Sequence, residues 1–176
     1  MKKLFASIFA CLIFATASIA QSENFNKGDK IINAGIGFIN TLNTGSYWKT
    51  KVPPISGSFE YAIIDNLFND RSGIGVGAYV GYSSQKYEYY NSSISYSDLV
   101  IGARGSFHYQ FVNKLDTYAG LMIGYDIVSG DGDAISSGVA LGYYIGARYY
   151  FTDNFAVMSE IGDNIALITL GVSFKF

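Results

Sequence analysis

The last twelve residues, I-A-L-I-T-L-G-V-S-F-K-F, constrain the fold more than any other stretch. Ile168, Leu170, Val172, Phe174 and Phe176 fall on one side of a two-residue period. Ile165, Leu167, Thr169, Gly171, Ser173 and Lys175 fall on the other. Successive side chains of a strand point to opposite faces, so this is a β-strand with one apolar face and one mixed face.

The same period recurs along the chain. It predicts strands over residues 29–38, 54–63, 73–83, 97–111, 117–128, 136–151, 155–161 and 165–176. Polar stretches at 39–53, 84–95 and 129–135 read as long loops. Shorter turns at 65–72, 113–114 and 152–154 alternate with them, and 162–164 is a very brief last connection. An even number of strands joined alternately by long and short connections is the pattern of an up-and-down barrel that crosses a membrane.

Sorting the side chains by face decides what each face touches. One face is apolar almost throughout, with Ser159 its clear polar intruder. The other collects Glu60, Arg104, His108, Asp126, Arg148, Glu160 and most of the glycines. A soluble barrel needs the reverse, an apolar lining and a wet exterior. A sandwich also shows period two, but it leaves edge strands and does not account for the aromatic placement. Phe38, Tyr82, Tyr125 and Tyr143 mark one rim of the apolar face; Tyr61, Phe107, Tyr109, Phe111, Tyr149, Phe151 and Phe176 mark the other. Two aromatic girdles fit the two interfaces of a bilayer. After residue 20 no apolar run is long enough for a membrane helix, so alternating strands must carry the apolar surface. The lumen of an eight-stranded barrel is only wide enough for side chains to fill it. Arg104 and Arg148 are therefore expected to be neutralised there by Glu60 and Glu160, because an unpaired buried charge costs several kcal/mol.

Residues 1–20 read as a secretory signal peptide: Lys2 and Lys3, an apolar run, then Ser18-Ile19-Ala20. Residues 21–176 are then the barrel domain, opening on a loose polar lead-in over 21–28. A lipoprotein reading would need Cys11 as the lipidated residue, and Phe9 and Leu12-Ile13-Phe14 around it do not suit that. Removing the leader takes away the single Cys and two lysines, moving the formal charge from −2 to −4. That balance gives no footprint for nucleic acid.

Thr169, Gly171, Phe174 and Phe176 occupy the places of a polar residue, a glycine and two hydrophobes at the carboxy-terminal end. This resembles the closing strand of a bacterial outer-membrane barrel. The whole of 21–176 resembles the small barrel family that includes OmpX and the OmpA transmembrane domain. The resemblance implies an all-β, eight-stranded antiparallel transmembrane barrel in a Gram-negative outer membrane, with both termini periplasmic. It implies contact with outer-membrane lipid and lipopolysaccharide, and a monomer. It also implies passage by periplasmic chaperones to the barrel-assembly machinery, which would read Thr169, Gly171, Phe174 and Phe176.

The sequence offers little chemistry. His108, the one His, faces the lumen near the end opposite the outer surface, and reads as a histidine bonded to Ser106, Gln110 or a neighbouring strand. Asp131 and Asp133 lack the spacing of an EF-hand, and no phosphate loop or cofactor motif stands out. Tyr47-Trp48-Lys49 and Tyr87-Glu88-Tyr89-Tyr90 suit either a contact surface or a seat on lipid headgroups. The reading is a non-enzymatic outer-membrane barrel, structural or presenting its outer loops to partners. The alternatives are a narrow porin-like channel and an outer-leaflet lipid-modifying enzyme, the last of which lacks a His and nucleophile near the outer rim.

Overall fold

The computed structural model describes residues 25–42, 45, 47–89, 92–130 and 136–176. The expected signal peptide, Cys11, Tyr90, Asp131 and Asp133 lie outside them.

Among the described residues eight strands run in chain order around a closed barrel: β1 Lys30–Asn40, β2 Trp48–Ile64, β3 Ser72–Tyr89, β4 Ser92–Val112, β5 Leu115–Gly130, β6 Gly138–Tyr150, β7 Phe155–Gly162 and β8 Ala166–Lys175. Each pairs antiparallel with its neighbours, and β1 closes on β8 through pairs such as Ala34 with Val172 and Ile36 with Leu170. Closure leaves no sheet edge around the barrel body, which is how an antiparallel sheet satisfies its backbone away from water. At that seam the backbones approach closely. A Cβ on Gly171 would collide with the carbonyl oxygen of Ala34, so the position admits only glycine without local movement.

The faces divide as their chemistry requires. In β7 exposure alternates without a break from Phe155 to Gly162. Leu121 is 70% exposed and Ile145 59%, whereas Arg148 is 1% exposed. An exterior of leucine, isoleucine and valine around an interior of arginine and glutamate is stable against hydrocarbon, not against water. The phase slips where β1 meets β8 at the far end: Phe38 and Ile39 are both exposed with Asn40 buried, and Ile165 and Ala166 are both buried with Leu167 exposed.

Two stretches depart from the sequence reading. Within the expected loops at 39–53 and 84–95, residues 39–40, 48–53, 84–89 and 92–95 are strand. Trp48 pairs with Tyr87 and Lys49 with Lys86, and the β3–β4 ladder continues to Tyr89 and Ser92. These residues are Ser, Thr, Tyr and Lys, which form strands without the apolar alternation that a half-buried strand shows. Pro53 and Pro54 are accommodated where the β2–β3 register slips between Val52 and Ile55, an irregularity that tolerates a missing N–H. The wall is consequently uneven. β3 and β4 are 18 and 21 residues long, β7 and β8 only 8 and 10, so a three-stranded sheet rises from one side above a low opposite rim.

The second departure is the lead-in. Residues 25–28 are tied to the barrel rather than loose. Gly28 N donates to Ala62 O at 2.9 Å, Lys27 N to the Asp65 carboxylate at 3.1 Å, and Asn26 N to that of Asp29 at 2.9 Å.

Inside, two layers stack along the axis. Towards the end where β1 starts and β8 finishes, the termini end, lie the charged residues. Towards the far end Tyr79, Val100, Met122, Ile165 and Ala166 form an apolar cluster, with Leu42 and Ala140 against it.

Candidate functional site

The charged layer is built from inward positions on six strands: Asn33 on β1, Glu60 on β2, Arg104, Ser106 and His108 on β4, Asp116 and Tyr118 on β5, Tyr144 and Arg148 on β6, and Glu160 on β7. The even spacing of Arg104, Ser106 and His108 keeps all three on one face of β4, and the same parity joins Asp116 to Tyr118.

Four of these side chains form a closed ring. Arg148 donates from Nη2 to Glu60 Oε2 at 2.6 Å and from Nη1 to Asp116 Oδ2 at 3.0 Å. His108 faces the remaining oxygens of the same carboxylates, Nδ1 to Asp116 Oδ1 at 2.9 Å and Nε2 to Glu60 Oε1 at 3.0 Å. A carboxylate only accepts, so both ring nitrogens must donate, which makes the ring an imidazolium. Two cations and two anions then alternate, and every carboxylate oxygen in the ring is used. Asn33 extends it, accepting from Arg148 Nε at 3.2 Å and from Ser173 at 2.6 Å.

Arg104 forms a smaller unit. Nη2 donates to Glu160 Oε2 at 2.9 Å, and Tyr118 donates to Glu160 Oε1 at 2.8 Å. The guanidinium lies over the Tyr144 ring at 3.5 Å and near that of Tyr79 at 5.2 Å, while its Nε has no partner. Tyr144 meets Ser106 at 2.8 Å. The void bounded by Glu60, Arg104, Tyr118, Tyr144 and Arg148 is about 10 Å³, room for one water at most.

Of the residues singled out in the sequence, Glu60, Arg104, Arg148 and Glu160 all lie in this layer, Arg148 against Glu60 and Arg104 against Glu160. His108 is bound to Asp116 on the neighbouring strand and, over the glycines of β3, to Glu60 on β2. Asp116 and Asn33 were not singled out. Asp116 was readable in principle, since it shares the parity of Tyr118 just inside the Asn113-Lys114 turn. Thr169 is buried on the inner face, whereas Phe174 and Phe176 are 51% and 54% exposed on the outer one.

This arrangement holds charge. His108 has no free lone pair, so it cannot act as a base in this state. Among the described residues no group of three or more His, Cys, Asp or Glu is placed to hold a metal ion. A larger concavity of about 490 Å³, bordered by Phe107, Phe111, Ala119, Ala147 and Ile161, lies on the outer wall and faces away from the lumen.

The family described as outer membrane protein beta-barrel domain matches residues 7–176. The chain belongs to this family. It is an integral outer-membrane protein, and its eight strands are a transmembrane barrel. No curated protein matches the sequence. Among solved structures, OprG of Pseudomonas aeruginosa aligns with a TM-score of 0.59 at 13% identity, over 88% of this chain and 99% of that one. Ail of Yersinia pestis, solved with the heparin analogue sucrose octasulfate, gives 0.54 at 16% identity, over 86% and 100%. AlkL, solved in lipid bilayers, gives 0.51 at 17% identity, over 93% and 97%. At such identities the likeness shows the fold.

Proposed function

We propose that this barrel is a non-enzymatic surface protein that uses a closed lumen as a scaffold and presents the β2–β3–β4 sheet outside the cell to partners. One observation carries the reading: the lumen is filled twice over, by the charged layer and by the apolar cluster of Tyr79, Val100, Met122, Ile165 and Ala166, while β2, β3 and β4 extend well beyond the low rim of β7 and β8. Rigid filling below and an extended aromatic sheet above suit recognition better than transport. Trp48 packs on Tyr87 and Tyr96 with ring centroids 5.3 and 5.6 Å apart, so the sheet is ordered by its own contacts. On its other face Lys49 and Lys86 both pair with Glu88, and their hydrogen bonds hold that carboxyl below its usual range.

The proposal includes the topology that goes with it: a leader over 1–20 removed on export, both termini in the periplasm, and a monomer surrounded by phospholipid and lipopolysaccharide. Chaperones would pass the chain to the barrel-assembly machinery, for which Thr169, Gly171, Phe174 and Phe176 supply the signal.

Single-channel recording on the refolded chain in a planar bilayer tests the closed lumen. Silence is the expected outcome; steady conductance would overturn it and favour the narrow channel. Mass spectrometry of lipid A from cells with and without the protein tests the absence of enzymatic action, with identical spectra expected.

A further inference from the structure

We propose that residues 25–28 are a stopper for the termini end of the lumen, with the Phe25 ring as the part that keeps water off the charged layer. His108 lies close to that end of β4, opposite Gly73 in the β3–β4 register. Its position near a strand end predicts access to solvent, yet it is 1% exposed. The Phe25 ring covers it, centroid to centroid at 3.7 Å with the planes 8° apart. Face-to-face contact of an aromatic ring with a flat cation is favourable and is strengthened where water is absent.

The seat for that ring is shaped by an absence. A Cβ on Gly73 would stand 2.8 Å from the Phe25 ring and 2.7 Å from the Ile64 carbonyl oxygen. Only a glycine there leaves room for a ring between β3 and the lumen axis. The segment is also aimed. Gly28 has φ +97, a conformation open to glycine and costly to other residues, and it turns the chain from the line of β1 back under the barrel. The hydrogen bonds from Gly28 to Ala62 and from Lys27 to Asp65 then fix the turn on β2 and on the β2–β3 connection. From the far side the apolar cluster already separates the charged ring from the mouth. Water therefore reaches His108, Glu60 and Asp116 from the termini end, and one short segment closes that route. Because the segment lies outside the strands, undocking its four residues would expose the ring without breaking a strand.

His108 is the one histidine of the chain, so its ring N–H protons report on the stopper without ambiguity. The experiment is NMR exchange of these protons with water in the protein refolded into lipid, with the strand amide spectrum as a check on fold. In the wild type they are expected to be visible and slow to exchange. F25A is expected to speed exchange on the order of tenfold or more, as local opening does. F25W should restore protection, and G73A, which fills the seat while keeping Phe25, should behave like F25A. Unchanged exchange in F25A overturns the proposal. So does a wild-type ring that exchanges as freely as an exposed histidine, a result that needs no variant to fold.

Discussion

Arg104 and Arg148 end the same phrase, Ile-Gly-Ala-Arg, on β4 and β6, yet they live in different surroundings. Arg148 is held by three acceptors, Glu60, Asp116 and Asn33, and lies over Tyr118 at 4.3 Å. Arg104 has one carboxylate, two aromatic rings and an unsatisfied Nε. The phrase itself fixes only that the arginine points inward. What it meets depends on register and closure. Asp116 stands directly opposite Arg148 across β5–β6, whereas the residues beside Arg104 in the sheet are Gly77 and Met122. One arginine is a linchpin of a charge ring, and the other is a cation packed among rings.

That contrast is sharpest in the largest expected effect. Arg148→Ala leaves two buried carboxylates and an imidazolium without their fourth member, and should cost about 5 kcal/mol, the upper end for breaking a buried ion pair. Denaturant unfolding of the lipid-refolded barrel would show it, or the chain would fail to refold. Arg104→Ala orphans Glu160 alone, which keeps its bond from Tyr118, so about 3 kcal/mol is expected in the same assay. If Arg104→Ala proved the more damaging, the ranking of the two sites would be wrong. Lysine substitutions separate them on geometry. An ammonium cannot reach three acceptors set in a fork, so Arg148→Lys should lose about 2–3 kcal/mol, and Arg104→Lys, which must keep one contact, about 1. The smallest change is Tyr144→Phe, which deletes the hydroxyl bonded to Ser106 and leaves the ring under Arg104. A loss of about 1 kcal/mol is expected. A much greater loss would mean that the hydroxyl, not the ring, supports Arg104.

The comparison also shows what could be read from residues alone. The inward parity of Arg104 and Arg148 was legible because each strand touches hydrocarbon on one side, and that contact writes a period of two into the chain. The ring partners of Arg148 were only half legible. Glu60 stood out as a lumen charge, but Asp116 hides beside a turn, and the contact of Arg148 with Glu60 crosses the lumen between strands that do not pair. Such cross-lumen contacts follow from closure and stagger, which no local pattern encodes. Residues 48–52 and 84–89 were missed for the opposite reason. Both of their faces carry polar residues, so no apolar alternation marks them. Phe25 was a single aromatic in a polar run, with no spacing to mark it as part of the interior.

The uneven height of the wall gives the molecule a front and a back. Above β7 and β8 the wall stops at the short connection over 163–165. Above β3 and β4 it continues as a standing screen. Among the described strands the mouth is therefore walled on one side and low on the other, so it has a direction as well as a diameter.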